Sequence, residues 1–293
     1  MAAGISRDKR PVLADVTVCA ADTVAPELAA RALDLCVERC AFGEAILFSD
    51  QAVAGNFRHV AIAKLTSLDG YSRFCLKEMA RHIKTAHVLV VQWDGYVTDP
   101  AAWDKRFRTY DYVGAPIFRD GRVVVGNGGF SLRSRKLLKA LEKLPSAPGI
   151  NEDWTISEVL RPALERDFGI RFAPPEMAAR FSYEQRHPGK PTFGFHGQSN
   201  FFRHESDDEI LAIYGRLPAS ALMSLNGFGL IVTSLRADRR ELAQALYARL
   251  RSTTDMAAIL GALSRDVPVE IIRETIDALE PGLAGRESRG GLN

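Results

Sequence analysis

Residues His87 to Gly95 read HVLVVQWDG and constrain the fold more than any other stretch. Val88 to Val91 is apolar with no polar alternation. A strand with one wet face alternates, so this run fits a strand covered on both faces, as at the centre of a parallel α/β sheet. It stops at Gln92-Trp93-Asp94-Gly95, an amide, a carboxylate and a turn residue. In open α/β sheets ligands bind in the crevice outside the carboxyl ends of the strands. The plainer reading is a buried strand closed by an Asx-type turn.

The flanking pattern supports that placement. Val12 to Ala20 is a β-branched, apolar run closed by Ala21-Asp22-Thr23. Pro26 to Cys40 has helical spacing through Leu28, Ala32, Leu35 and Cys36. Ala45 to Phe48 and His59 to Leu65 read as strands, and Ser72 to Ile83 as an amphipathic helix. The order strand, helix, strand, strand, helix, strand implies an α/β fold with a mostly parallel sheet and right-handed crossovers. No GxGxxG or GxxxxGK[ST] string is present, which disfavours dinucleotide and P-loop sites.

After the centre, Trp103 to Tyr110 reads as a short helix, and Val123 to Val125 as a strand running into Gly126-Asn127-Gly128-Gly129-Phe130-Ser131. The spacing predicts a helix from Ser131, with Leu132, Leu137, Leu138 and Leu141 inward and Arg133, Arg135, Lys136 and Lys139 solvated. Asn151 is a plausible N-cap for the next helix, in which Pro162 cannot sit deep without a kink. Thr192 to Gly197 reads as a short strand carrying His196. Beyond about Glu205 helical patterns dominate, giving two expected regions, 1–204 and a helical appendage at 205–293.

Composition narrows the class. Over 293 residues the net charge is +2, with Arg and Lys scattered among acids, so no nucleic-acid partner is expected. The four cysteines lack zinc spacing and read as buried free thiols of a reducing compartment. The first residues lack a signal-type apolar core, and no run is long enough to span a bilayer. The expectation is a cytoplasmic protein, with the inner face of the membrane as a peripheral alternative.

Four pieces carry candidate chemistry. Gln92-Trp93-Asp94 offers oxygen ligands for a hard cation. Gly126 to Phe130 lets a backbone approach a ligand closely, and the helix expected after it would present free N–H groups; a plain turn explains it equally. Glu152 and Asp153, in the first turn of a helix, need do no more than complement the macrodipole. His196, between Phe195 and Gly197, is by itself more ordinary as a core residue.

In this order the four resemble the GT-A glycosyltransferases. The strings YDYVGAP, VGNGGFSLRSR, NEDW and FGFHG resemble more narrowly an uncharacterised glycosyltransferase-like, DUF5672-type family. The resemblance spans roughly Val12 to Phe202. It implies a GT-A-like fold that moves a sugar from a nucleotide-diphosphate donor to a glycan or polysaccharide acceptor. It implies a divalent metal, Mn²⁺ or Mg²⁺, in the slot of a DxD motif, here Gln92-Trp93-Asp94. Gln92 replaces the first acid, so only Asp94 is charged there, and strict metal dependence is open. His196 matches a metal-completing histidine. Asn127, Gly128 and Gly129 match the segment shaping donor and acceptor pockets, and Ala21 and Asp22 match the loop that holds the base. Glu152-Asp153 matches the catalytic acid pair of inverting enzymes. Asp153 is the expected base, kept ionised at lowered pKa by the helix N-terminus, and Glu152 is left for an acceptor hydroxyl. A homodimer through the C-terminal helices is a further expectation.

Two other readings compete. A nucleotidyltransferase would carry a glycine- and lysine-rich first loop, which Ala20-Ala21-Asp22-Thr23 is not. Gln92 keeps open a non-catalytic nucleotide- or sugar-binding module with a decayed metal site.

Overall fold

A computed structural model describes residues 10–119 and 121–280. The chain falls into two compact units that part between His196 and Gly197. The first opens with β1 (Val12–Ala21), α1 (Pro26–Arg39), β2 (Ala41–Ser49), β3 (Arg58–Ala61), α2 (Leu68–Arg73) and β4 (His87–Val91). It continues with β5 (Tyr112–Gly114), a hairpin of β6 (Pro116–Arg119) and β7 (Arg122–Val125), and β8 (Phe130–Ser134). Among the described residues six of these strands form one sheet in the order β3-β2-β1-β4-β8-β5. β1 to β4 run parallel, whereas β8 runs antiparallel to both β4 and β5. The sheet is mixed and mostly parallel, the fold class expected from the sequence.

β4 is buried at all five positions. On one face Val88 and Val90 pack with Cys19, Ile46, Phe48, Phe74, Cys75 and Met79. α1 packs on β1, β2 and β4, burying Leu28, Ala29, Leu33 and Cys36. Each buried Val or Leu contributes roughly 1.5–3 kcal/mol relative to exposure, so the strand tolerates no polar alternation. All four cysteines are free and buried.

The helical run before β4 starts at Leu68 rather than Ser72, because the Ser67 hydroxyl accepts the Gly70 N–H at 3.1 Å and caps it. The run then widens into a π turn over Phe74–Glu78 and tightens over Met79–His82. Trp103 to Tyr110, expected as a helix, holds a single-turn 3₁₀ segment, Lys105–Thr109.

The helix expected from Ser131 does not begin there. Phe130 to Ser134 is β8, in register with Val91 to His87, and ladder pairing overrides the helical spacing of the leucines. α3 (Arg135–Lys143) starts only after Ser134, whose hydroxyl accepts the Leu137 N–H at 3.0 Å. Arg133 is therefore a strand residue with no exposed surface, not part of a solvated face. The glycine-rich run likewise leads into a strand, so no helix N-terminus follows it.

α4 (Glu152–Trp154) is a short turn of helix that widens into a π segment, Thr155–Val159. Asn151 stands at its N-cap position without a side-chain capping bond. α5 (Arg161–Phe168) begins afresh so that Pro162 lies in its first turn, where no N–H is needed. α6 (Pro175–Phe181), β9 (Ser182–Tyr183) and β10 (Gly194–Phe195) complete the unit, the last two strands pairing in parallel. The second unit, described by itself, contains α7 (Asp207–Gly215), α8 (Leu225–Arg236), α9 (Arg240–Arg251), α10 (Met256–Leu263) and α11 (Val269–Leu279). No helix among the described residues is long and apolar enough to cross a membrane.

Candidate functional site

The carboxyl end of β4 and the start of β8 lie side by side, because the two strands run in opposite senses. The Gln92 N–H donates to the Gly129 carbonyl at 2.8 Å, carrying the ladder one step past β4. The Gly95 N–H then turns back to the Gln92 carbonyl at 3.1 Å. Gly126 to Gly129 and Gln92 to Gly95 thus share one rim of the sheet.

β10 delivers His196 to this rim. Its Nε2 lies 3.0 Å from Gln92 Oε1 and 3.2 Å from Asp94 Oδ1. Its Nδ1 lies 3.1 Å from Glu184 Oε1. Gln92 is oriented from behind, its Nε2 donating to the Tyr71 hydroxyl at 3.0 Å. Asn127 Nδ2 donates to Glu184 Oε2 at 3.0 Å, and its Oδ1 accepts the Phe130 N–H. Burial opposes charging the ring, but Asp94 and Glu184 on its two sides outweigh it and raise the His196 pKa well above 6.5. A Cβ on Gly129 would overlap this ring, so glycine is what lets the imidazole lie against the strand.

A divalent cation could take the place of the Nε2 proton between these three donor atoms, since a ligating imidazole must give that proton up. An octahedral ion about 2.1 Å from each ligand spaces neighbouring ligands about 3 Å apart, close to the separations of His196 Nε2 from Gln92 Oε1 and Asp94 Oδ1. Glu184 behind Nδ1 completes the carboxylate–histidine arrangement usual behind a ligating imidazole. Among the described residues no group of three or more His, Cys, Asp or Glu side chains forms a metal cluster. The third donor here is an amide.

On the other side of the same glycines lies the acid pair. Gly128 N–H donates to Asp153 Oδ2 at 3.1 Å, and Trp154 N–H to Oδ1 at 2.7 Å. Gly128's carbonyl accepts from Arg133 Nη2 at 3.2 Å and from the Ser131 hydroxyl at 2.9 Å. The same Nη2 binds Glu152 Oε1 at 2.8 Å, an ion pair almost wholly out of solvent. A Cβ on Gly128 would stand 2.5 Å from Glu152 Oε1 and 2.7 Å from Asp153 Cβ. The bare backbone is what admits both acids.

The pKa expected of Asp153 has the wrong sign. Burial and the Glu152 charge hold its carboxyl up to about 6, outweighing the two backbone donors that would lower it. Glu152, tied to Arg133, does not point an unpaired carboxylate at an acceptor.

A cleft of about 500 Å³ opens beside the rim, lined by Ala21, Asp22, Thr23, Ser67, Tyr71, Gln92 and Trp93 among others. Asp22 shapes its floor, Oδ1 accepting the Val24 and Ala25 N–H groups at 2.7 and 2.8 Å. Its pKa is raised by burial. The residues singled out in the sequence therefore form two adjoining groups, Ala21, Asp22 and Trp93 at the cleft, and Asp94, Asn127, Gly128, Gly129, Glu152, Asp153 and His196 at the glycine rim. Gln92 belongs to both. Glu184 and Tyr71 were not singled out, and Arg133, assigned to a solvated helix face, is buried here. Glu184 had one faint signal, an acid directly after the aromatic-flanked Phe181-Ser182-Tyr183.

Residues 55–196 match the model of the family described as Protein of unknown function (DUF5672). Over that segment the chain is DUF5672-like. The segment holds Gln92, Asp94, the glycine rim, Glu152, Asp153 and Glu184, and it ends on His196. No curated protein matches the chain. Among solved structures, one similar chain is a glycosyltransferase involved in the glycosylation of the major capsid of PBCV-1, at 14% identity over 62% of this chain and 91% of that one, TM-score 0.40. Another is the mannosyltransferase PcManGT from Pyrobaculum calidifontis in complex with GDP-Man and Mn²⁺, at 16% identity over 96% and 83%, TM-score 0.41. A third is S. aureus TarS 1-349, at 13% identity over 90% and 80%, TM-score 0.36. At such scores none of them assigns a role to a residue of this chain.

Proposed function

We propose that the chain is an inverting glycosyltransferase, moving a sugar from a nucleotide-diphosphate donor to a hydroxyl of a glycan acceptor. One observation carries the reading. A carboxylate held up to about 6 and a Gln–Asp–His donor set lie on two sides of one glycine pair, beside a cleft of about 500 Å³.

Ala21, Asp22 and Trp93 would hold the nucleoside. Gln92, Asp94 and His196 would hold a divalent cation, Mn²⁺ or Mg²⁺, whose charge offsets that developing on the departing diphosphate. Asp153 takes the proton from the acceptor hydroxyl as its oxygen attacks the anomeric carbon. The bond to the diphosphate breaks on the opposite face, and the new linkage is inverted. A pKa near 6 suits the task, since the group is ionised at neutral pH yet more basic than a free carboxylate. Arg133 neutralises Glu152 and so leaves one carboxylate for proton transfer.

Calorimetric titration with UDP and GDP, with and without Mn²⁺, tests the donor site. A donor-hydrolysis screen comparing native chain with Asp153→Asn tests the base. Nucleotide binding with turnover lost in the variant supports the reading; turnover equal in both sinks the base assignment. Gln92, a weaker ligand than a carboxylate, favours as second reading a module that binds nucleotide or sugar without transferring it. Binding with no turnover of any donor identifies that case.

A further inference from the structure

Outside the rim, β6, β9 and the loop after β9 enclose a cavity of about 200 Å³. Its lining includes Pro116, Phe118, Ser182, Tyr183, Arg186 and His187 and, among the described residues, no carboxylate. The enclosure is tied together, because the Phe118 N–H donates to Gln185 Oε1 at 2.7 Å. The rings are ordered around it. The Arg186 guanidinium stands 3.8 Å from the Phe118 ring centre, and Tyr183 meets His187 edge-on at 4.8 Å. The Gly189 N–H donates to His187 Nδ1, so a neutral ring carries its proton on Nε2.

Aromatic rings and a cation suit a small ring that is apolar on its C–H faces and hydroxylated at its edge. With no acid among the described lining residues, an acidic ring fits as well as a neutral one. The cavity adjoins the rim through the chain. Tyr183 is followed by Glu184, which bonds His196, and β7, paired with β6, leads into Asn127. We propose that this cavity is a saccharide subsite for a ring of the acceptor. This rests on the transferase reading above and names where that enzyme would grip its acceptor.

The test is saturation-transfer NMR on the full chain, with the methyl glycosides of glucose, galactose, mannose and glucuronic acid as probes. Phe118→Ala and Arg186→Ala are compared with the native chain, and both alter side chains at the surface. The expected result is transfer to at least one glycoside, with affinity falling at least about tenfold in both variants. No transfer to any of the four, or affinity unchanged in both variants, overturns the proposal. UDP and GDP titrations on the same samples separate the two readings. Nucleotide binding without glycoside binding removes only the subsite. Glycoside binding that depends on Phe118 and Arg186, without nucleotide binding, keeps the saccharide site and removes the transferase.

Discussion

The Arg133–Glu152 pair should act on Asp153 with opposite signs from its two ends. Asp153 sits at about 6 against an ordinary 3.8, a rise of about 2 units, or roughly 3 kcal/mol against the ionised form at 1.36 kcal/mol per unit. Burial is the largest cause and the Glu152 charge the second. Glu152→Gln removes that charge and leaves the Arg133 cation unpaired, and both changes favour ionised Asp153. Its pKa should fall by on the order of one unit. Arg133→Met leaves the Glu152 charge uncompensated, so the Asp153 pKa should rise. Each variant also breaks a buried pair at a cost of about 3–5 kcal/mol, whereas Arg133→Met with Glu152→Leu should recover much of it. Carbon-13 carboxyl NMR, with the Asp153 resonance assigned through Asp153→Asn, follows the titration without any substrate. Shifts of the same sign in both single variants, or no carboxyl titrating near 6 in the native chain, would refute the electrostatic argument. Because the folded pKa is raised, Asp153 contributes stability below pH 3.8 that is lost as pH rises through about 6.

Three further outcomes follow from the same rim. Asp153→Asn should lower transfer by about 10²–10⁴-fold while calorimetry finds nucleotide affinity unchanged. Glu184→Gln should weaken Mn²⁺ binding by about 10–100-fold, read by electron paramagnetic resonance of the free ion, because it releases His196 from its carboxylate. Gly129→Ala should displace the His196 ring and cost about 1–3 kcal/mol in chemical denaturation, with a loss of Mn²⁺ affinity that Gly215→Ala, which has open space at its Cβ position, does not share.

What could be read from the sequence follows from how local each cause is. β4 is legible because two-sided burial leaves its mark residue by residue, from Val88 to Val91. The glycine rim is legible because only glycine tolerates acids and an imidazole pressed against its backbone. Arg133 was misread because leucines at helical spacing follow it, and the sheet pairing that buries it depends on β4, over forty residues earlier in the chain. Glu184 escaped notice because β9 and β10 are two residues each, too short to leave an alternation. The sign of the Asp153 shift was missed because helix position is local, whereas burial and the orientation of Glu152 are set by distant segments.

The reversed sense of β8 has a consequence for how this rim can change. Five residues of strand span roughly 16 Å at about 3.3 Å per residue. Had β8 run parallel to β4, the loop entering it would have opened at the far edge, that distance from Asp94. Two loops separated by some thirty residues meet only because one precedes its strand and the other leaves its own. Insertions in the hairpin before β8 can therefore lengthen or shorten freely while the meeting point stays fixed, which makes the hairpin the natural place for related chains to diverge in what they hold.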